Sequence, residues 1–310
     1  MSEKKYSNAS TLTHPASLIS HPSHTFLGSE MPNTPLEQAR FVVLPVPYEK
    51  TTSYKKGTFR GPEALLAASS QLEVWDEELK KETWKGGIHT LPFFTSEEPA
   101  EKFFPRLQAK VTELAKLKDK KLFIVGGEHS LSQATIPAYA RLYPDLSVLH
   151  FDAHADLREE YEGTPYNHAC ALYPASRLCP VVQVGIRSVG SEELHNMNSG
   201  RVKTFFMQEN KNLKSLIQKT LKSLTKNVFI SIDLDGFDPS VIPGVGTPQP
   251  GGFSWEEGLQ LFRGVIEKKN VVGVDLMELC PLQDNVISEF AAAKLAYRLM
   301  GYLSLKNFIR

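Results

Sequence analysis

Aspartates and histidines two residues apart close two apolar runs of this sequence, at Phe151-Asp152-Ala153-His154-Ala155-Asp156 and at Ser231-Ile232-Asp233-Leu234-Asp235. Side chains of an extended segment alternate faces, so Asp152, His154 and Asp156 project to one side, as do Asp233 and Asp235. Four carboxylates crowded together repel one another and hold protons unless positive charge neutralises them. Two divalent cations supply the matching charge. The spacing therefore points to a two-metal site. Carboxylates with a minority of imidazoles and no thiolate favour manganese or magnesium over zinc or copper, and the imidazoles shift the preference toward manganese. Paired ions lower the pKa of a shared water and aim it at an electrophilic carbon or phosphorus, which makes hydrolysis the leading reaction class. With Glu278 adding another negative charge, a cationic substrate is electrostatically suited to the site.

Such residues need a scaffold that brings distant segments to one rim. Buried-strand runs fall at 41–48, 121–125, 146–151, 181–186, 202–207, 228–232 and 271–277. Helical patterns lie between them: after Gly61-Pro62, over 98–118, after Ser130, near Ser191, and around 211–226, 254–269 and 288–303. Strand and helix alternating across the chain imply right-handed crossovers and a parallel sheet covered on both faces. No linker or repeat divides 36–310, which reads as a single domain. Ligands of open parallel sheets bind beyond the carboxyl ends of the strands. His129, the Asp152 cluster, the Asp233 pair and Glu278 all fall at such ends. A closed eight-stranded barrel would place its site on the same rim, and the pattern alone leaves both open.

Residues 1–35 are rich in Ser, Thr, Pro and Asn and lack periodicity, so they read as an irregular arm. Its histidines, His14, His21 and His24, have no scaffold to fix a metal and read as solvated chain. The whole chain of 310 residues, 41% hydrophobic, is long enough for a full core. Lysine plus arginine equal aspartate plus glutamate at 35 each, which argues against nucleic acid or an acidic membrane as partner. Cys170, Cys179 and Cys280 form no C-x-x-C pair and suit reduced thiols in the cytoplasm. No run is long enough to span a bilayer, and the start lacks a signal-peptide core.

Taken in order, Gly126-Gly127-Glu128-His129-Ser130, the Asp152 and Asp233 clusters with Gly236-Phe237-Asp238-Pro239, and Asp275-Leu276-Met277-Glu278 resemble the signatures of the ureohydrolases, the family of arginases and agmatinases. The resemblance covers the chain from about Phe41 onward. It implies a three-layer α/β/α fold around an eight-stranded, mainly parallel sheet. It also implies two Mn2+ per subunit, hydrolysis of a guanidinium group to urea and an amine, and a homotrimer or homohexamer. Residue by residue, His129, Asp152, Asp156 and Asp233 match the ligands of one manganese, and Asp152, His154, Asp233 and Asp235 those of the other. Glu278 matches the acid that orients the guanidinium, and His168 the loop histidine that passes a proton to the leaving amine. Glu128 is expected to support the site indirectly, His150 to be a hydrogen-bonded core histidine, and Asp238 to form a turn.

The loop Leu157-Arg158-Glu159-Glu160-Tyr161-Glu162-Gly163-Thr164-Pro165-Tyr166-Asn167-His168 looks like that of agmatinases. Its acids suit a substrate with a second positive charge and no carboxylate, which favours agmatine, cleaved to putrescine and urea. Arg158 cuts the other way, since it could pair with Glu160 or with a substrate carboxylate. Aminopropylagmatine has the same guanidinium head, whereas arginine or guanidinobutyrate would need a carboxylate partner. A non-catalytic binding protein on the same fold, or a one-zinc deacetylase, is disfavoured by the complete six-residue set.

Overall fold

Among the residues described by the structure, a computed structural model covering 24–117 and 119–306, the chain forms ten strands. In chain order these are β1 (Phe41–Val46), β2 (Trp75–Asp76), β3 (Lys81–Glu82), β4 (Ile88–Thr90), β5 (Lys121–Gly126), β6 (Leu146–Phe151), β7 (Val181–Ile186), β8 (Val202–Phe206), β9 (Asn227–Asp233) and β10 (Asn270–Met277). The short β2 and β3 pair antiparallel by themselves. The other eight form one sheet in the order β4-β1-β5-β10-β9-β6-β7-β8, with every pairing parallel. Every residue of β1, β5, β6 and β7 is buried, as strands covered by helices on both faces are, the few polar ones such as His150 and Gln183 included.

The helices are α1 (Gly61–Ser69), α2 (Ala100–Ala115), α3 (Ser132–Ala140), α4 (Tyr173–Leu178), α5 (Leu194–Met197), α6 (Leu213–Ser223), α7 (Trp255–Lys268) and α8 (Ile287–Ser304). Leu65 of α1, Leu216 of α6, Phe262 of α7 and Leu299 of α8 join one core. Phe103 of α2, Ile136 of α3 and Ala175 of α4 join the other. The result is the α/β/α sandwich that the alternation predicts. Because β4 and β8 are edges, the sheet is open and the barrel alternative falls.

Several boundaries move for identifiable reasons. The first strand ends at Val46 instead of 48 because the chain turns there, Tyr48 N–H donating back to the Val46 carbonyl at 2.9 Å. The helix expected near Ser191 is a 3-10 turn followed by the four-residue α5, and the chain then turns through Gly200 at φ 82°. Residues 24–35 carry no helix or strand, yet Phe26 and Leu27 are buried. Their backbone N–H groups donate to Thr90 Oγ1 and Ser69 Oγ at 2.9 and 2.8 Å, so this stretch is pinned to the body. His24 is not solvated chain: its Nε2 lies 3.2 Å from Glu63. His14 and His21 lie outside the described residues. No helix among the described residues is long and apolar enough to cross a membrane.

Candidate active site

The four central neighbours β5, β10, β9 and β6 carry the acids and imidazoles beyond their carboxyl ends. His129 follows β5, Glu278 follows β10, Asp233 ends β9 and Asp152 follows β6. The turn after β5 requires glycine: a Cβ on Gly127 would lie 2.1 Å from the Tyr48 carbonyl oxygen. Asp156 and Glu278 adopt left-handed backbone, at φ 53° and 67°. Each such residue costs about 1–3 kcal/mol and persists only where the surroundings over-determine it. Here Leu172 N donates to the Asp156 carbonyl at 3.0 Å, and Glu278 N donates to the Gly127 carbonyl at 2.8 Å.

Four donor atoms converge at His129. Its Nδ1 is buried, has no hydrogen-bond partner, and lies 3.2 Å from Asp152 Oδ2, Asp156 Oδ2 and Asp233 Oδ2 alike. An octahedral cation with bonds of about 2.0–2.3 Å keeps adjacent ligand atoms about 2.8–3.3 Å apart, so this spacing fits a divalent ion. The other ring nitrogen, Nε2, is 3.0 Å from the Ser231 hydroxyl, which leaves the Nδ1 lone pair facing the carboxylates when Nε2 holds the proton. A second group adjoins the first. His154 Nδ1 lies 2.9 Å from Asp235 Oδ2 and 3.6 Å from Asp152 Oδ1. Asp152 thus turns one oxygen to each group, and the six residues singled out in the sequence form one continuous cluster.

His150 also brings a ring nitrogen to the cluster, but both of its nitrogens are engaged. Gln183 donates its amide to the Ala155 carbonyl at 2.7 Å and to His150 Nδ1 at 3.0 Å. The proton of His150 therefore sits on Nε2, which donates to Asp152 Oδ2 at 2.7 Å. It is the hydrogen-bonded core histidine expected from the sequence, and it braces Asp152. Asp238 is likewise a turn former, accepting from Ser240 N, Gly251 N and Gly252 N.

The charges of the cluster are strongly coupled to its protons. Burial and the repulsion of Asp235 and Asp152 hold the Asp233 carboxyl well above its usual range. Burial and Asp152 likewise raise Asp235. Burial alone would lower both imidazoles, but contacts with Asp152, Asp156 and Asp233 raise His129 well above its ordinary value, and Asp235 with Asp152 pushes His154 up to about 12. A cation needs neutral imidazoles, so it must displace these protons. Manganese affinity of chelator-treated protein is therefore expected to rise by about tenfold or more per pH unit through the neutral range, since each proton released adds one unit of slope. Calorimetry in buffers of different ionisation enthalpy measures the release, and affinity independent of pH would contradict it.

Above the cluster lies a cavity of about 140 Å³ whose lining includes Ser53, Asp156, Tyr161, His168, Glu193 and Glu278. Glu278 Oε1 accepts from His129 N at 2.7 Å and sits 4.0 Å from His168 Nδ1. Burial, then the charge of Glu128, holds the Glu278 carboxyl well above the usual range. Arg158, which also lines the cavity, does not pair with Glu160: its Nε donates to Glu192 at 2.7 Å, and its guanidinium stacks 4.6 Å from the Tyr161 ring. Sequence reasoning missed Thr51, Ser53 and Glu193. Thr51 and Ser53 carried a signal, a run of hydroxyls directly beyond the carboxyl end of β1. Buried Glu193 and exposed Glu192 are adjacent and of one type, so nothing in the sequence separates them.

Known proteins resemble this chain over most of its length. Residues 39–301 match the family described as the arginase family. An N(1)-aminopropylagmatine ureohydrolase of Synechocystis sp. is 41% identical over 289 residues, covering 89% of this chain and 93% of that protein. An agmatinase of Halalkalibacterium halodurans is 32% identical over 258 residues, 80% of this chain and 86% of that protein. The solved structure of agmatine ureohydrolase of Thermoplasma volcanium superposes with a TM-score of 0.78 at 29% identity, over 86% of this chain and 91% of that one. A single open sheet with its acids and imidazoles on one rim, matched over nearly its whole length, leads to one assignment: the chain is a ureohydrolase of the arginase family.

Proposed function

We propose that this chain hydrolyses the guanidinium group of an amine-tailed guanidino compound, releasing urea, with two manganese ions held by His129, Asp152, Asp156, Asp233, His154 and Asp235. In this reading Asp152, whose two oxygens face the two donor groups, and Asp233 between them would be available to both ions. The carboxylate-rich set without thiolate favours manganese. When bound, such a pair lowers the pKa of water and offsets developing negative charge. The residues of the chain do the rest. Glu278 holds the planar guanidinium by paired hydrogen bonds, and His168, beside it, delivers a proton to the leaving amine. The observation that carries this reading is the convergence of Asp156, Asp233, His154, His168 and Glu278 on one cavity. A homotrimer or homohexamer completes the proposal, by family resemblance.

The cavity also bears on the substrate. Its acids favour a cation; Arg158 also lines the cavity, but its Nε is held by Glu192 and its charge lies beside buried Glu193. Agmatine, giving putrescine, meets these requirements. N(1)-aminopropylagmatine meets them as well, and a specific observation favours it: the 41% identical relative carries that activity in its name. Specificity constants of the manganese-loaded protein test both. The two amine-tailed compounds are expected to exceed arginine and guanidinobutyrate by about a hundredfold or more, because a carboxylate would be left unpaired among buried acids. Arginine ranking first would end the proposal, and the ratio of the two amine-tailed compounds decides between them.

A further inference from the structure

Glu128 is an acid with no exposed surface that neither reaches the cavity lining nor belongs to the acid–imidazole cluster. Its carboxylate is nonetheless saturated. Oε2 accepts from the backbone N–H groups of Lys50 and Thr51, each at 2.6 Å. Oε1 accepts from the hydroxyls of Thr51 at 2.7 Å and Ser130 at 2.5 Å. Having donated to Glu128, the Thr51 hydroxyl has its lone pairs free, and it accepts from the backbone N–H of His168 at 3.0 Å. Ser53, two residues on, places its Oγ 3.2 Å from His168 Nε2. A chain of hydrogen bonds thus runs from the turn after β5, through the segment beyond β1, to the loop that carries His168.

The geometry points to Glu128 and Thr51 as positioning residues that set the height and direction of His168 over Glu278. The inference rests on the proton role of His168 proposed above. A buried carboxylate is an acceptor only, so its four donors have a single arrangement that satisfies them all. The anionic end polarises the Thr51 hydroxyl and strengthens its hold on the next donor in the chain. A proton donor displaced by about 1 Å from its reacting atom loses much of its effect, which is why the anchor of a loop histidine matters to turnover.

The test uses the manganese-loaded full chain with Thr51→Val, Thr51→Ser, Glu128→Gln, His168→Ala and the double variant Thr51→Val/His168→Ala. Thr51→Val is expected to lower kcat by about tenfold or more, within the range for removing an outer supporting hydrogen bond, with metal content unchanged. Thr51→Ser, which keeps the hydroxyl, restores most of that loss. Deuterium exchange of the 161–172 segment is expected to quicken in Thr51→Val and not in Thr51→Ser, because the acceptor of His168 N–H is lost only in the first. On the His168→Ala background Thr51→Val should cost less than about twofold, since residues acting through one another are not additive. Because Glu128 is buried and its substitution can impair folding, Glu128→Gln serves as a second reading and the partly buried Thr51 as the decisive one. Equal Thr51→Val losses with and without His168 overturn this proposal alone. An unimpaired His168→Ala enzyme overturns the proton role of His168 and this proposal together.

Discussion

Asp233→Asn is expected to reduce urea release about a thousandfold or more while the protein stays folded. The several kcal/mol that paired cations contribute to a transition state convert, at about 1.4 kcal/mol per factor of ten, to a loss of that size. Asp233 Oδ2 sits 3.2 Å from His129 Nδ1, and Asp233 Oδ1 accepts from Asp235 N at 2.9 Å, so one side chain ties the first group of donors to the second. Asparagine keeps the shape and removes the charge. Metal content should fall with activity, measured on the same sample. Repulsion from Asp235 and Asp152, added to burial, already holds the Asp233 carboxyl well above its usual range. Neutralising it relieves that repulsion, so the chelator-treated variant should melt no lower than the chelator-treated parent. Full metal content with retained turnover would reject the role given to Asp233.

His168→Ala is expected to lower kcat and kcat/KM together by about a hundredfold, the size of a proton transfer by a positioned side chain. Equal loss in both constants marks an interaction made only in the transition state. Metal content should be unchanged, since the His168 ring contacts Ser53 and approaches Glu278 and is not among the donors clustered on His129 and His154. A rise in KM at constant kcat would reduce His168 to a binding residue.

The sequence makes the metal-type residues and Glu278 legible because they lie at or just beyond strand ends. Mainly apolar stretches such as Val228–Ile232 announce buried parallel strands, and the acid that breaks the run marks the rim. Since the side-chain period of a strand is fixed, the spacing of Asp152, His154 and Asp156 already implies a shared face. Long-range partners are another matter. Arg158 finds Glu192, 34 positions away, because the loop after β7 folds beside the loop after β6. No local pattern encodes that meeting. Thr51 reaches His168 across 117 positions for the same reason. Nor could periodicity distinguish an open sheet from a barrel, since that depends on whether β4 and β8 pair, and three-residue β4 is too short to show a pattern. The family resemblance supplied what local physics left open, the division of the six side chains between the two proposed ions.

The most direct test of that grouping is a manganese titration of chelator-treated protein with urea release measured at each addition. Two ions bound per chain are expected, with urea release low until the second site fills. Full turnover with one ion, or urea released undiminished from protein freed of metal, would contradict the two-ion centre.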